Sequence, residues 1–324
     1  MKALLTFLTY LFILSPNVVL SDTTIKIYTV STKIEAQWAH FHREKRGRRE
    51  YKKKSRNKVG DSKRMMSLKP CNACKTIEGF VPMSEISNTV RIMVGKSLNV
   101  DKAEAVDIQR SRGVIETGLK PDFINDANCP EIDSEKWAID YSHKRPWPAL
   151  HKGIDIPQPR ETPILAVSTG TVVGKFINKG NRKGIEVMLR HSPENTGLPF
   201  WTYSQYTHLF EMSPLTIGQS IKMGQKIGKT SNTGKMGRRI RRDALHFAIL
   251  YSKNPEWSND GIFVTPKGGY WMDPVAFYRM QAPYDSKSVM ILQDEDKAIP
   301  VSYMKLNGSF ILLDTKRIWP YPCN

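Results

Sequence analysis

No stretch of this sequence carries the ~20 consecutive apolar residues that a membrane-spanning helix needs. The longest apolar run, residues 3–14, is too short to span. It follows Lys2 and gives way to Ser15-Pro16 and then to Val18-Val19-Leu20-Ser21. That is the layout of a signal peptide, with cleavage expected after Ser21. The expectation is an exported chain, periplasmic, extracellular or held at the cell envelope, with no transmembrane span once residues 1–21 are removed.

Acidic residues are also scarce: 31 Asp and Glu stand against 49 Lys and Arg, for a net charge of +18. A polyanionic partner is thereby favoured, whether nucleic acid, anionic lipid or acidic wall polymer. Half of the excess lies in one place. Residues 43–64 hold twelve Lys or Arg and three Asp or Glu, a net of +9. The run has almost no apolar content, so it cannot offset the entropy of ordering and reads as a disordered linker. It is nearly devoid of aromatics, which argues against specific nucleic-acid binding by base stacking. Docking on anionic envelope polymers is the functional reading, and an inert solvated tether is the bland one.

Cysteine is limited to Cys71, Cys74, Cys129 and Cys323. Export permits disulfides, and four cysteines allow three pairings among which the sequence does not choose. No strand–helix–strand pattern surrounds the C-x-x-C at 71–74, so a thioredoxin-like role is not favoured. Structural disulfides are expected, one of them able to tie the C-terminal tail to the N-terminal region. Internal repeats are absent.

Domain texture changes along the chain. Residues 22–75 form the basic, largely disordered region, with a short strand candidate at 24–30. Residues 76–135 read as a small helical or spacer region. Ile86, Val90, Met93 and Val94 share one helical face, and Ser84 is placed to cap it. Asp101, with Glu104 three residues on, opens a second helix. From 136 to 282 short β-branched and aromatic runs alternate with Gly and Pro, at 164–167, 171–176, 185–189, 201–209, 225–229 and 245–251. The fold class expected is mainly β, an antiparallel two-sheet domain with a groove, preceded by the basic linker and the small helical region. A C-terminal extension, 283–324, adds two strand-like runs at 289–292 and 309–313.

Chemistry concentrates in the β domain. His151 and Asp155 stand four residues apart, with Gly153 between them to let the backbone curl. His246 and His208 lie in separate strand-like runs. Two imidazoles and a carboxylate supply N, N and O ligands to a tetrahedral Zn²⁺ and leave a fourth position for water. Each of these residues is weak evidence alone.

The surrounding blocks strengthen it. The chain has H-K-G-I-D at 151–155, Y-T-H-L at 206–209, G-Q-S-I-K-M-G-Q-K-I-G at 218–228, S-N-T-G at 231–234, A-L-H-F at 244–247 and W-M-D-P-V-A-F-Y at 271–278. In order and spacing, residues 140–280 resemble the lysostaphin/LasA-type peptidoglycan zinc metalloendopeptidases. The resemblance implies one zinc ion held by His151, Asp155 and His246. It implies that His208 faces the scissile amide and stabilises the developing charge. Gly218, Gly224, Gly228 and Gly234 match turn glycines, Pro274 matches a loop proline, and Tyr206 reads as core. The implied substrate is the peptide crosslinks of peptidoglycan.

One family position is missing. The last motif of the family is H-x-H, and its first histidine, taken to remove a proton from water, is Ala244 here. Residues 244 and 246 of a strand share a face, so a methyl group replaces an imidazole beside the site. Asp243 points to the other face unless a bulge intervenes. Arg241 and Arg242 cannot act as bases. Two readings follow: a zinc endopeptidase with an altered proton route, or a zinc-binding module that binds wall or activates a separate amidase.

Overall fold

The computed structural model describes residues 71–95, 101–132, 150–178, 183–234 and 242–324. These belong to one compact unit, Ser67–Asn324. The signal peptide, the strand candidate at 24–30 and the basic run 43–64 lie outside the described residues.

A seven-stranded sheet organises the unit. Its strands are β1 (Ile154–Pro157), β2 (Gly170–Asn178), β3 (Gly184–His191), β4 (Trp201–Thr207), β5 (Ser220–Ile221), β6 (Ala244–Ser252) and β7 (Tyr270–Met272). Pairing runs β7–β6–β4–β3–β2–β5, and β1 joins the same edge of β6 as β7. Every pair is antiparallel. The long strand β6 therefore has β4 along one side, while β1 and β7 divide the other. Its apolar residues are buried on both faces, with Leu245, Phe247, Ala248, Ile249 and Leu250 all fully covered. A strand covered on both faces needs a nearly continuous apolar run, which makes the half-buried His246 within it conspicuous.

Smaller sheets accompany this one. Pro163–Leu165 pairs with Lys226–Lys229, and Trp257–Asn259 with Val264–Pro266. The mainly β, antiparallel class read from the sequence is what the chain adopts.

The segment before the β domain packs onto it. Trp257 exchanges backbone hydrogen bonds with Gly79 and Val81, and its indole donates to the Glu78 carbonyl. The Trp271 indole donates to the Met93 carbonyl. The two flanks of the domain also join each other. Lys120–Phe123 pairs in parallel with Ala298–Val301, and disulfides link Cys129 to Cys323 and Cys71 to Cys74.

Three local expectations are corrected. The first helix is Asn88–Met93, and its cap is Ser87, whose hydroxyl accepts from the Val90 amide, rather than Ser84. Ser84 lies instead in a 3-10 turn, Met83–Glu85. The run 289–292 is not strand: Val289 and Met290 end a short helix, Ser286–Met290, started by the Asp285 carboxylate accepting from Ser288, and Ile291 and Leu292 turn out of it. A side-chain cap at its head outweighs the β-branched content of so short a run. The third element, 201–209, stops being strand at Thr207, and that ending shapes the site.

Candidate metal centre

The site is built on the edge where β1 meets β6. The register pairs Asp155 with His246, Ile156 with Leu245 and Pro157 with Ala244. Directly opposed residues share a sheet face, so the Asp155 carboxylate and the His246 imidazole emerge side by side. His151 precedes β1 and reaches the same point because the lead-in lies flat on β6. Gly153 makes that approach possible: a Cβ there would stand 2.3 Å from the Phe247 carbonyl oxygen and 3.0 Å from the His246 ring. The glycine thus serves close packing, not the backbone curl expected from the sequence.

Three donor atoms converge. His151 Nε2 is 2.9 Å from His246 Nδ1, His246 Nδ1 is 3.0 Å from Asp155 Oδ1, and His151 Nε2 is 3.4 Å from Asp155 Oδ1. Pairwise hydrogen bonding does not account for this triangle. A single Nδ1 proton can satisfy Asp155 but then leaves that nitrogen unable to accept from His151. A cation satisfies all three lone pairs at once. Zinc bonds of 2.0–2.2 Å at tetrahedral angles place ligand atoms roughly 3.3–3.6 Å apart, a few tenths from the observed edges. The residues fit the ion. Among the described residues this is the single cluster of such groups.

Electrostatics agree with that set. Burial alone would push the Asp155 carboxyl up, but the two imidazoles beside it hold it well below the usual carboxylate range. The carboxylate is therefore charged and ready to bind a cation.

His208 stands beside the cluster, its ring centroid 6.0 Å from that of His246. Its placement depends on the early end of β4. Thr207 is the residue opposite His246. Had the strand continued, His208 would have pointed to the other face. Instead His208 adopts φ +70°, a left-handed conformation that turns the ring back toward the metal face. Its Nδ1 donates to the carbonyls of Lys183 and Thr233, at 2.9 and 3.0 Å. Those bonds assign the proton to Nδ1 and make Nε2 the acceptor nitrogen of the neutral ring.

Sequence reasoning missed the support behind His208. Lys183, whose carbonyl holds the ring, extends its ammonium to within 3.6 Å of Glu186 Oε2 and 3.7 Å of the Phe263 ring centroid. Glu186 is fully buried. Gln205 donates to it at 2.8 Å and Thr207 at 3.4 Å, while its Oε1 has no hydrogen-bond partner. Desolvation raises its carboxyl above the ordinary glutamate value, against the pull of Lys183. Glu186, Thr207, His246 and Asp155 form one row across β3, β4, β6 and β1. The alternation of β3 could have shown that an acid faces the core; its neighbours lie too far away in sequence.

The remaining residues fall as follows. Ala244 is buried opposite Pro157, on the His246 face. The Asp243 carboxylate lies 3.5 Å from the Arg160 guanidinium. Arg241 is outside the described residues. Gly218, Gly224 and Gly234 have positive φ, whereas Gly228 meets the Leu209 side chain, which lies 3.2 Å from where a Cβ would be. Tyr206 is core, and its hydroxyl accepts from the Val167 amide. His191, which neighbours none of these groups, is a satisfied core histidine between the Thr169 carbonyl and the Ser204 hydroxyl.

Known proteins resemble this domain. The catalytic domain of the antimicrobial peptidase lysostaphin from Staphylococcus simulans is 21% identical, with a TM-score of 0.29, over 38% of this chain and 85% of that one. An uncharacterised lipoprotein of Escherichia coli (strain K12), YgeR, is 28% identical over 187 residues, covering 54% of this chain and 68% of its own length. An uncharacterised metalloprotease of Haemophilus influenzae is 36% identical over 84 residues, 26% of this chain and 16% of that protein. Residues 149–257, which contain His151, Asp155, His208, Ala244 and His246, match the model of peptidase family M23. Over this segment, about a third of the chain, the protein is similar to peptidase family M23.

Proposed function

We propose that this protein is an exported zinc-dependent endopeptidase that hydrolyses the peptide crosslinks of peptidoglycan. The observation that carries the reading is the triangle of His151 Nε2, Asp155 Oδ1 and His246 Nδ1 with His208 next to it. His151, Asp155 and His246 would hold the ion. Bound there, zinc supplies Lewis acidity that polarises a carbonyl and lowers the pKa of water.

The protein's own residues supply the proton handling. His208 keeps its proton at Nδ1 on two backbone carbonyls. Neutral, it takes a proton at Nε2; charged, it donates one from the same atom to the oxygen or the departing amine of the substrate. Ala244 handles no proton, so this reading places both halves of the transfer on His208. Export is supported by the signal-peptide layout, and retention at an anionic envelope by the basic run 43–64. Digestion of purified sacculi by the zinc-loaded protein, read as new muropeptides by mass spectrometry, tests the proposal. Intact sacculi across all crosslink types would refute it.

Ala244 favours a second reading. Without that base the domain can serve as a zinc-stabilised module that binds wall or activates an amidase. Faster digestion by an added amidase, with no muropeptides released by the protein alone, would select it.

A further inference from the structure

At the far end of β6 a second feature has nothing to do with the metal. Tyr251 lies five residues beyond His246, about 16 Å along the strand and on the opposite face. Tyr270 of β7 is its register partner. The two rings stack with centroids 5.7 Å apart, Phe200 lies 4.8 Å from Tyr251, and Tyr284 lies 5.5 Å from Phe200. These four rings, with Asn254 and Asp285 among the polar groups, line a cavity of about 640 Å³. That is within the range of small-ligand sites.

The cavity differs from the protein's own aromatic core. Four of the five core tyrosines place their hydroxyls on protein partners, Tyr206 on Val167, Tyr278 on Ile318, Tyr303 on Ile124 and Tyr321 on Thr230; the fifth, Tyr203, is sealed from solvent with its hydroxyl unpaired. No hydrogen bond involves the hydroxyls of Tyr251, Tyr270 or Tyr284 among the described residues. Tyr270 is 38% exposed, and Tyr251 and Tyr284 are half-buried. Burial, with Asp285 and Tyr270 nearby, pushes the Tyr251 phenol up to about 12, so it remains a hydroxyl donor. The Arg112 guanidinium stacks 4.7 Å from the Tyr270 centroid and stiffens that wall.

Flat aromatic faces flanked by unpaired hydroxyls and a carboxylate match one ligand chemistry well. A pyranose ring has an apolar face of C–H bonds and a rim of hydroxyls that donate and accept. Aromatic rings carry a large apolar face and, in tyrosine, a polar tip. We infer that the cleft between Tyr251, Tyr270 and Tyr284 is a carbohydrate-binding site that takes a short β-linked pyranose oligosaccharide. Its natural source is the glycan strand of the wall, an identification that rests on the function proposed above; the ligand class rests on the cleft alone. The site would hold the glycan on one face of the sheet while peptide is worked on at the other.

The experiment uses the mature protein and a β-1,4-linked N-acetylglucosamine tetramer, followed by calorimetry and by chemical-shift changes of labelled tyrosine. Peptide-free wall glycan strands serve as a second probe. Saturable binding that weakens at least tenfold in Tyr270→Ala, and less in Tyr270→Phe, is the expected result. Asp155→Ala should bind sugar as wild type does, and Tyr270→Ala should cleave a soluble crosslinked peptide as wild type does. Those two controls separate failure of this site from failure of the hydrolase reading. Lack of saturable binding to either glycan would overturn the inference, as would equal binding by Tyr270→Ala. Binding of a proline-rich peptide in the same cleft, with no competition by the tetramer, would overturn it in favour of a peptide site.

Discussion

Asp155 sits directly opposite His246 in the ladder between β1 and β6, and its Oδ1 lies 3.0 Å from His246 Nδ1. Two groups of the cluster, far apart in sequence, are therefore fixed by strand register. A slip of one residue would send one of them to the other face.

Metal content follows from that geometry. The purified protein is expected to carry about one zinc per chain by elemental analysis, and Asp155→Ala to lose nearly all of it. Chelation should lower the melting temperature, because an ion that binds only the folded state at ~100 times its Kd adds about 2.7 kcal/mol. Zinc-free protein that melts unchanged with or without added zinc would overturn the site.

His208 lends itself to a clean substitution. Its left-handed backbone is tolerated by asparagine better than by most residues. His208→Asn should therefore fold and keep zinc while turnover falls ~10²-fold or more. Loss of zinc in this variant would make His208 a support of the ligands instead of a proton carrier.

Ala244 is the position to restore. Ala244→His puts an imidazole on the His246 face, and kcat is expected to rise ~10-fold or more, toward the ~10²–10⁴ of a positioned base. Unchanged kcat in a folded, zinc-loaded variant would show that the altered proton route already suffices.

Glu186 makes stability depend on pH. Its carboxyl titrates near 4.5 when exposed and is raised by burial in the folded chain. The folded state thus holds the proton more tightly. The contribution is fully present below about 4.5 and is lost as pH rises through the folded value. Glu186→Gln removes that loss, so its stability relative to wild type should increase between pH 4 and 7 in urea melts. A relative decrease over that range would reverse the assignment.

The two disulfides should differ in weight. Cys129–Cys323 spans 194 residues, Cys71–Cys74 only 3. Loop-closure entropy grows with span. Replacing the first pair by serine should cost ~2–5 kcal/mol, read from the urea midpoint, and replacing the second clearly less. Equal costs would show that the short bridge holds up the packing of Cys74 against the core.

Much of the site was legible because its signals are local. H-x-x-x-D and the final histidine block are short patterns, and the apolar run 245–251 places the second on a strand. What was illegible depends on long-range contact. The role of Gly153 appears only when β6 lies against it. His208 read as a strand residue, because nothing in Tyr206-Thr207-His208-Leu209 announces a left-handed turn. Lys183 and Glu186 carry no motif; they matter because the chain returns beside them at Thr207 and Thr233. Ser84 read as the cap from the sequence, and the start of the packed helix at Asn88 moved that role to Ser87.

The amino-acid sequence by itself determined the mainly β class, the identities of the three groups that meet in the cluster and the alanine at 244. These depend on side-chain chemistry and on periods of two and four residues, which need no knowledge of distant neighbours. Tertiary structure alone decided the pairing of Cys129 with Cys323, the parallel joining of 120–123 to 298–301, the inward turn of His208 and the meeting of Tyr251 with Tyr270. Each of these brings together residues through the folding of the sheet, and register and packing, not local propensity, select such partners.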